Sequence, residues 1–255
     1  MSEAPSDVRA DARAAREALD GLLDTEAAAL RDLLPPGFAD ATEAYVALML
    51  EANARLNLTR VVAPAAVARL HLLDSLAALP LIDEVAPTSA LDLGSGGGVP
   101  GIVLALARPG LRWTLVDSVG KKADAMRGFV EALELRNVEV LAERAEVLGR
   151  GPHRESFDLV AARACAALPV LAEYALPLVR VGGAVLAWKS RVGEDEMSRG
   201  ARASRVLGGG PPQVLPSGVA ALGDHGFVLI RKVTPTPERY PRRPGMPARR
   251  PLPLD

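Results

Sequence analysis

The sequence has almost no cysteine: Cys165 is the single one among 255 residues. One cysteine excludes an intramolecular disulfide and a cysteine-based zinc cluster, and it is typical of a reducing compartment. The first eight residues carry acids and no apolar core, so they predict no signal peptide. The longest apolar stretch, 159–179, is interrupted by two prolines, an arginine and a glutamate, which argues against a membrane span. We therefore expect a cytoplasmic protein without a membrane partner or a metal.

The sequence also lacks a strong net charge, which is -1 at pH 7. Its charges are unevenly spread, however. Residues 1–50 hold ten acids against four arginines, whereas residues 231–255 hold seven basic residues against two acids. The basic C-terminal segment predicts contact with a local anionic partner rather than general binding to polyanions.

A glycine-rich turn at residues 94–101, Gly-Ser-Gly-Gly-Gly-Val-Pro-Gly, is the most informative segment that is present. The apolar run before it, 89–93, predicts a buried strand, and 102–107 after it predicts the start of a helix. Because glycine lets a backbone pass close to a ligand, this arrangement predicts a site for a nucleotide-like ligand. Asp117 ends the next predicted strand, where an acid can accept hydrogen bonds from two ribose hydroxyls. NAD and S-adenosylmethionine sites both use such an acid, so these residues leave both cofactors open.

The wider pattern divides the chain into three parts. Residues 1–84 predict a helical subdomain, and we expect part of the first 35 residues to be disordered. Residues 85–234 alternate strand and helix, and residues 235–255 form a proline- and arginine-rich tail with no packing pattern. The predicted helices lie at 7–33, 42–56, 65–79, 101–107, 121–135, 145–149, 169–179 and 194–206, and the predicted strands at 90–93, 112–116, 138–142, 157–161 and 183–188.

The alternation of strand and helix predicts a parallel sheet with helices on both faces. Two runs, 213–222 and 227–233, flank a Gly-Asp-His-Gly turn and predict a hairpin, so the last strand is antiparallel. An α/β sheet of this kind, mostly parallel with a C-terminal antiparallel hairpin strand, resembles the class I methyltransferase (Rossmann-like) fold. The loop at 143–146 can meet an adenine, and a glycine turn at 177–183 recurs in methyltransferases. These features favour S-adenosylmethionine over NAD.

Seven motifs occur in order and resemble the RsmG family, also called glucose-inhibited division protein B, over residues 42–252. No single motif is specific for this family, but the occurrence of all seven in this order is. The motifs are Asn57-Leu58-Thr59, His71-Leu72-Leu73-Asp74-Ser75-Leu76, the turn from Gly94 to Gly101, Asp117-Ser118 with Lys121-Lys122, Arg144-Ala145-Glu146, Arg163-Ala164 followed by Leu168-Pro169, and the segment from Tyr240 to Pro247.

The resemblance implies transfer of a methyl group from S-adenosylmethionine to N7 of one guanine in 16S ribosomal RNA, in the 530-loop region. The partner would be the RNA or a small-subunit ribosomal particle. Val99 stands where a larger apolar residue is common in the family, which would loosen packing against the cofactor. Matched to the motifs, the cofactor-binding positions are Gly94, Val99, Asp117, Ser118, Val119, Ala145, Glu146 and Arg163.

The sequence offers no obvious catalytic residue, and the chemistry agrees with that. Guanine N7 carries an in-plane lone pair and no proton, so attack on a sulfonium methyl is a direct displacement without a general base. Alignment of the reacting atoms can then supply most of the catalysis. The chain has no Asn-Pro-Pro-Tyr-like motif for amine methylation, and Cys165 lacks the preceding proline expected of a nucleophile for pyrimidine C5 methylation.

Basic side chains at strand ends and in the tail are the candidates for RNA contact. Arg163 ends the fourth predicted strand, where ligands bind in such sheets, and is expected to contact the cofactor carboxylate or an RNA phosphate. Prolines keep the tail extended, so its arginines can spread along an RNA backbone; a solvated, disordered tail is the alternative. The predicted RNA-binding residues are Lys189, Arg242, Arg243, Arg249 and Arg250.

Several other side chains are expected to be structural or to have no role. Cys165 is expected to be a small buried side chain. His71 and Asp74, three residues apart on one helix face, predict a structural hydrogen-bond pair. His153 and His225 are expected to be exposed. Glu146 is either a cofactor contact or an acid favoured at a helix start by the dipole.

Three other functions stay open on the sequence alone. A small-molecule methyltransferase would not need the basic tail. An NAD-dependent dehydrogenase would reduce nicotinamide, and a non-catalytic RNA-binding protein would transfer no methyl group to any RNA.

Overall fold

A computed structural model describes residues 7–252 of the chain. Within this range a twisted sheet is covered by helices on both faces. The strands are β1 Ser89–Leu93, β2 Arg112–Asp117, β3 Val138–Ala142, β4 Phe157–Arg163, β5 Val179–Lys189, β6 Gln213–Pro216 and β7 Gly226–Arg231. The α-helices are α1 Val8–Thr25, α2 Ala28–Arg31, α3 Phe38–Leu56, α4 Pro64–Val67, α5 Asp74–Leu76, α6 Leu79–Val85, α7 Gly101–Ala107, α8 Gly120–Ala132, α9 Ala145–Leu148, α10 Leu168–Ala175, α11 Glu194–Val206 and α12 Met246–Arg249, with a π-helix at Ala68–Leu73 and a 3-10 helix at Ala220–Leu222.

The sheet has the strand order β3-β2-β1-β4-β5-β7-β6 in the described part of the chain. Strands β1 to β5 pair in parallel, whereas β7 runs antiparallel to both β5 and β6. The predicted α/β class, with a parallel sheet closed by an antiparallel hairpin, is therefore confirmed. Because the parallel strands are in register, their carboxyl ends meet at one edge, where α/β sheets bind ligands.

Alternate residues of each strand pack against different helices, as the two-residue period of a strand requires. In β1, Ala90 belongs to the core that contains α1, α3, α7 and α8, and Leu91 belongs to the core that contains α9, α10 and α11. In β4, Leu159 and Val160 divide in the same way. The N-terminal helices therefore share one hydrophobic core with the sheet and do not have a separate core of their own.

The N-terminal segment is ordered from residue 7 onward. Asp7 caps α1 by accepting hydrogen bonds from the N–H groups of Arg9 and Ala10, at 3.1 and 3.4 Å. Arg16 then joins α1 to α3 through an ion pair with Glu43, 2.8 Å from Nε to Oε2. The expected disorder is thus not found over residues 7–35. The same expectation for residues 1–6 lies outside the described residues.

One helix, Pro64–Val85, is long and apolar enough to cross a membrane by length and composition. It comprises α4, the π-helix, α5 and α6, and the sequence pattern underestimated its length. Of its most apolar window, 67% is buried inside the protein, as in the core helix of a globular protein. Its apolar character is accounted for by side chains such as Leu72, Leu76 and Leu79, which are completely buried.

Residues 235–252, which we call the C-terminal strap, fold back onto the sheet domain. Tyr240 and Leu252 are buried in the core around α10. Arg242 pairs with the fully buried Glu173 of α10, at 2.5 Å from Nη2 to Oε2. Arg154 donates to the carbonyl oxygens of residues 236 and 240, at 2.6 and 2.7 Å. The expectation of an extended tail without packing is therefore wrong for these residues, because partners distant in sequence hold the strap in place.

Candidate cofactor and nucleic-acid site

The glycine-rich turn follows β1 and lies close against the sheet. The Gly94 N–H donates to the carbonyl oxygen of Val116 at 2.8 Å, and Gly94 and Gly98 both have positive φ, +76° and +93°. A Cβ at Gly98 would lie 2.5 Å from Ile102 Cδ1. A Cβ at Gly101 would lie 2.7 Å from the carboxylate of Asp92. Glycine is therefore needed both for the backbone conformation and for the close approach of the turn to its neighbours.

Asp117, at the end of β2, holds the two backbone segments that border the site. Its Oδ2 accepts from the Gly96 N–H at 3.0 Å, and its Oδ1 accepts from the Val119 N–H at 2.8 Å. Each carboxylate oxygen has a second lone pair. Asp117 can therefore organise the loop and still accept hydrogen bonds from a ligand hydroxyl.

Asp92, within β1, is fully buried beneath the glycine turn. Its Oδ2 accepts from the Gly101 N–H at 2.9 Å, but Oδ1 has no hydrogen-bond partner among residues 7–252. Burial raises the pKa of this carboxyl to about 6, although the nearby Ser95 hydroxyl and the hydrogen bond from Gly101 oppose the shift. A buried carboxylate oxygen without a hydrogen-bond partner is costly to keep charged, which agrees with the raised pKa.

Two cavities meet at Gly94 and contain most of the predicted cofactor residues. The turn–loop cavity, about 120 Å³, is lined by Gly94, Ser118, Ala145 and Glu146 among others. The turn–helix cavity, about 270 Å³, opens beside Gly94 toward the helix Pro64–Val85. Its walls include Val99, Asp117 and Arg163.

Val119 is the predicted cofactor residue that lines neither cavity. The residue is 47% exposed, and its N–H group donates to Asp117 Oδ1. Thr59 and Lys122 line the turn–helix cavity without having been assigned a role. Both belong to motifs that carry the family resemblance, and these motifs could have identified them from the sequence.

Glu146 connects the turn–loop cavity to the C-terminal strap. It is 2% exposed, and its Oε1 accepts from the Gly245 N–H of the strap at 2.8 Å. The guanidinium of Arg144 lies 3.6 Å from Oε2. Glu146 is thus more than an acid at a helix start, because it fixes the strap at the wall of the site.

Cys165 lines the turn–loop cavity, and the expectation that it is buried is wrong, since the residue is exposed. The loop after β4 carries it past the glycine turn, where a Cβ at Gly94 would lie 3.5 Å from Sγ. Desolvation of the thiol in this wall, followed by the charges of Asp92 and Asp117, raises its pKa to about 11. Cys165 therefore stays protonated near neutral pH and is not an activated nucleophile.

Arg163, at the end of β4, is held by the π-helix. Its Nη1 donates to the carbonyl oxygen of Leu70 at 2.6 Å and lies 3.4 Å from Asp74 Oδ2. Its Nη2 lies 3.2 Å from His71 Nδ1. His71 and Asp74 therefore each contact Arg163. The predicted hydrogen-bond pair of these two residues is linked through the guanidinium and is not direct. His225 is half-buried, with Nδ1 at 3.0 Å from Asp74 Oδ1, so the expectation of an exposed histidine is wrong.

His71 is neutral in this cluster. Burial and the positive charge of Arg163 lower its pKa to about 4. Nδ1 of His71 lies 3.2 Å from Arg163 Nη2, which only donates, and 3.2 Å from the Leu70 carbonyl oxygen, which only accepts. The other ring nitrogen, Nε2, forms a hydrogen bond with Thr59 Oγ1 at 2.8 Å.

The residues predicted to bind RNA fall into two groups. Arg243, Arg249 and Arg250 are exposed on the strap. Arg242 has its guanidinium occupied by Glu173, which gives it a structural role, and Lys189 Nζ pairs with Glu196 at 2.8 Å and donates to the Ala166 carbonyl. The structure thus leaves the first group more available to a partner.

Comparison with known proteins gives one consistent family. The family model GidB, described as rRNA small subunit methyltransferase G, matches residues 39–218. The "Ribosomal RNA small subunit methyltransferase G" of Chloroflexus aggregans is 47% identical over 201 residues, covering 78% of this chain and 84% of that protein. The protein of the same name from Roseiflexus sp. is 47% identical over 210 residues, with coverage of 82% and 89%.

Solved structures agree with the fold. The S-adenosylmethionine-dependent methyltransferase SibL in its apo form superposes with a TM-score of 0.52 at 18% identity, covering 86% of this chain and 74% of that one. This likeness supports the class I methyltransferase fold. The family and fold together support S-adenosylmethionine as the cofactor and a methyltransferase as the enzyme class. The resemblance seen in the ordered motifs is confirmed, and the chain belongs to the ribosomal RNA small subunit methyltransferase G family.

Proposed function

We propose that the protein transfers a methyl group from S-adenosylmethionine to N7 of a guanine in the 530-loop region of 16S ribosomal RNA, in the cytoplasm. The observation that carries the proposal is the pair of cavities joined at Gly94, at the carboxyl ends of the parallel strands. The turn–loop cavity contains Ala145 and Glu146, expected beside an adenine, and the turn–helix cavity contains Asp117, expected beside a ribose, and reaches Arg163. The substrate is the RNA itself or a small-subunit particle.

The residues present fit the methyl donor. Asp117 would accept from the ribose hydroxyls with its free lone pairs, and Ala145 and Glu146, at the start of α9, would border the adenine. The glycine turn leaves room for the aminoacyl part, where Arg163 would bind its carboxylate by charge-assisted hydrogen bonds. When bound, S-adenosylmethionine supplies a methyl group on a positively charged sulfur.

The chain has to align a guanine and does not have to remove a proton. N7 has a free lone pair, so the neutral His71 and the protonated Cys165 are compatible with the reaction, since neither is needed as a base or nucleophile. The walls around Gly94 would position the two reacting atoms and exclude water. Catalysis by alignment is consistent with a site built from backbone turns and fixed carboxylates.

The strap would bind the RNA backbone independently of the base sequence. Arg243, Arg249 and Arg250 are exposed on it, and contacts of arginine with phosphates release counterions. Because Gly245 binds Glu146, the strap holds these arginines at the edge of the donor site. Guanine selection would come from a base presented in a single-stranded loop.

The direct test uses 16S RNA and small-subunit particles from cells that lack this protein. Each is incubated with the purified protein and S-adenosylmethionine labelled in the methyl group, and N7-methylguanine is mapped by chemical cleavage. Label at one guanine of the 530-loop region supports the proposal. Label confined to another position, or no label with either substrate, contradicts it.

The other candidate functions predict different results in this assay and in binding measurements. A small-molecule methyltransferase would keep its activity when Arg243, Arg249 and Arg250 are replaced by serine. A non-catalytic RNA-binding protein would bind the particle without label transfer. A dehydrogenase would bind NAD in a calorimeter, whereas we expect binding of S-adenosylmethionine only.

A further inference from the structure

A third cavity lies beside the donor site and has no role in the function proposed so far. This hairpin cavity, about 360 Å³, shares the walls His71, Arg163 and Ala164 with the turn–helix cavity. Its far side is formed by Trp188 of β5 and by His225, at the start of the β7 strand. The volume is in the usual range for small-ligand pockets. A ligand here would be next to the methyl donor.

Asp74 fixes the residues around this cavity. It is 4% exposed, and its Oδ2 and Oδ1 contact Arg163 and His225, at 3.4 and 3.0 Å. Its backbone carbonyl accepts from Trp188 Nε1 at 2.9 Å. One buried residue thus joins the π-helix to the ends of three strands. Its two side-chain contacts place Arg163 on the donor side and His225 on the far side.

The contact with Asp74 determines what His225 can offer a ligand. A carboxylate oxygen accepts, so His225 donates from Nδ1. In the neutral ring the other nitrogen, Nε2, is then an acceptor. Because the side chain of His225 is 37% exposed and lines the cavity, this acceptor is available there.

Guanine has the complementary groups. Its Watson–Crick edge carries the donors N1–H and N2–H₂, whereas adenine presents an acceptor at N1. The methylated atom, N7, is on the Hoogsteen edge of the purine, which is separate from the Watson–Crick donors N1–H and N2–H₂. A guanine with N7 toward the donor would therefore present these donors to another part of the cavity, whose wall includes Trp188 and His225.

We propose that the hairpin cavity receives the target guanine, that His225 reads its Watson–Crick edge, and that Asp74 is the positioning residue that orients His225. This inference rests on the proposed function, since it takes RNA as the substrate. It deepens that function by assigning the pocket and the residue that distinguish guanine from adenine. Arg163 and Lys189 also line this cavity, each paired with a carboxylate, so a phosphate is the competing occupant that the test below has to exclude.

The test compares His225→Ala, His225→Gln and His225→Lys with the control His153→Ala. His153 is also half-buried, but it stacks on Phe157 at the opposite end of the sheet. Initial rates of N7 methylation are measured over a range of particle concentrations, together with S-adenosylmethionine affinity and the thermal midpoint. The wild-type rate reports on the proposed function itself.

Loss of one base contact predicts that His225→Ala lowers kcat/KM by about 10- to 100-fold. His225→Gln, which retains an acceptor, should recover part of this loss, and His225→Lys, which has only donors, should not. The control should keep wild-type kinetics, and S-adenosylmethionine should bind all four variants as it binds the wild type. The losses from Asp74→Asn and His225→Ala should be less than additive, because the two variants share the Asp74–His225 contact, whereas only Asp74→Asn also alters the contact with Arg163.

Three outcomes would overturn the inference. Equal kcat/KM values for His225→Ala and the control would show that His225 does not contact the guanine. A more active His225→Lys would identify a phosphate pocket instead. Matching losses of cofactor affinity and thermal midpoint in all three His225 variants would indicate a structural role only. If the wild type itself labels no RNA, the proposed function fails first, and this inference fails with it.

Discussion

The glycine turn lines both cavities at Gly94, whereas the C-terminal strap meets the site through Glu146, and the two segments are held in place in different ways. The turn is fixed by contacts within one β-α-β unit: Gly96 and Val119 bind the carboxylate of Asp117, which lies between them in sequence. The strap is fixed by Arg242 and Gly245, whose partners Glu173 and Glu146 lie 69 and 99 residues earlier. A local motif therefore forms one wall of the site, and a long-range latch supports the other wall at Glu146.

Loss of the latch contacts should lower the free energy of unfolding more than loss of the contacts that hold the glycine turn. The variant Glu173→Ala tests this expectation. Removal of this buried carboxylate leaves the guanidinium of Arg242 without its partner, which typically costs about 3–5 kcal/mol in the free energy of unfolding. We expect a loss of this size in denaturant unfolding, with weaker binding of S-adenosylmethionine because the strap no longer holds Glu146.

The double variant Glu173→Leu, Arg242→Met is the matched control for the latch. It removes both charges and leaves an apolar contact, so it should regain most of the lost stability. If Glu173→Ala unfolds at the same denaturant concentration as the wild type, the strap is not held by this ion pair.

Loss of the contacts that hold the glycine turn should weaken the binding of S-adenosylmethionine more than loss of the latch contacts. Asp117→Ala removes the acceptor for the N–H groups of Gly96 and Val119 and the proposed ribose contact. We expect S-adenosylmethionine to bind about 10- to 100-fold more weakly by calorimetry, equivalent to one or two hydrogen bonds to a charged group. Asp124→Ala, on an exposed carboxylate of α8, should bind like the wild type. Equal affinities of the two variants would exclude Asp117 from the cofactor site.

The different origin of the two walls explains what the sequence could predict. The bounds of α7 and α11 and the antiparallel hairpin follow from local apolar periodicity and turn residues. Seven of the eight predicted cofactor positions line the two cavities in the described structure, because the motifs themselves lie at strand ends. The contacts of Asp74 with His225 and of Arg242 with Glu173 span 151 and 69 residues, and no local pattern encodes such pairs.

The exposed arginines of the strap should affect RNA and not the cofactor. Replacing Arg243, Arg249 and Arg250 by serine should weaken RNA binding about tenfold and reduce the slope of log affinity against log salt by about 2, or about 0.7 per lost phosphate contact. The control replaces Arg9, Arg112 and Arg202, which are exposed elsewhere. Equal salt slopes in titrations of the two triple variants would contradict a role of the strap in RNA binding.

The smallest effect concerns His71, which joins the helical side of the site to Arg163. Its pKa in the folded protein, about 4, is below the ordinary value near 6.5, so the unfolded chain takes up the proton first as the pH falls. The stability that the neutral ring contributes is therefore present above pH 6.5 and is lost as the pH falls toward 4. Between pH 7 and pH 5.5 this loss should be about 1 kcal/mol in the wild type.

His71→Gln, which cannot titrate, should lack that part of the pH dependence, whereas the control His153→Gln should retain it. Denaturant unfolding at the two pH values measures the difference. Asp92 is present in all three proteins, and its raised pKa, about 6, has the opposite sign, because protonation of a buried carboxyl favours folding. Its contribution cancels when the variants are compared at the same pH. The same loss in His71→Gln as in the wild type would show that this histidine is not held neutral beside Arg163.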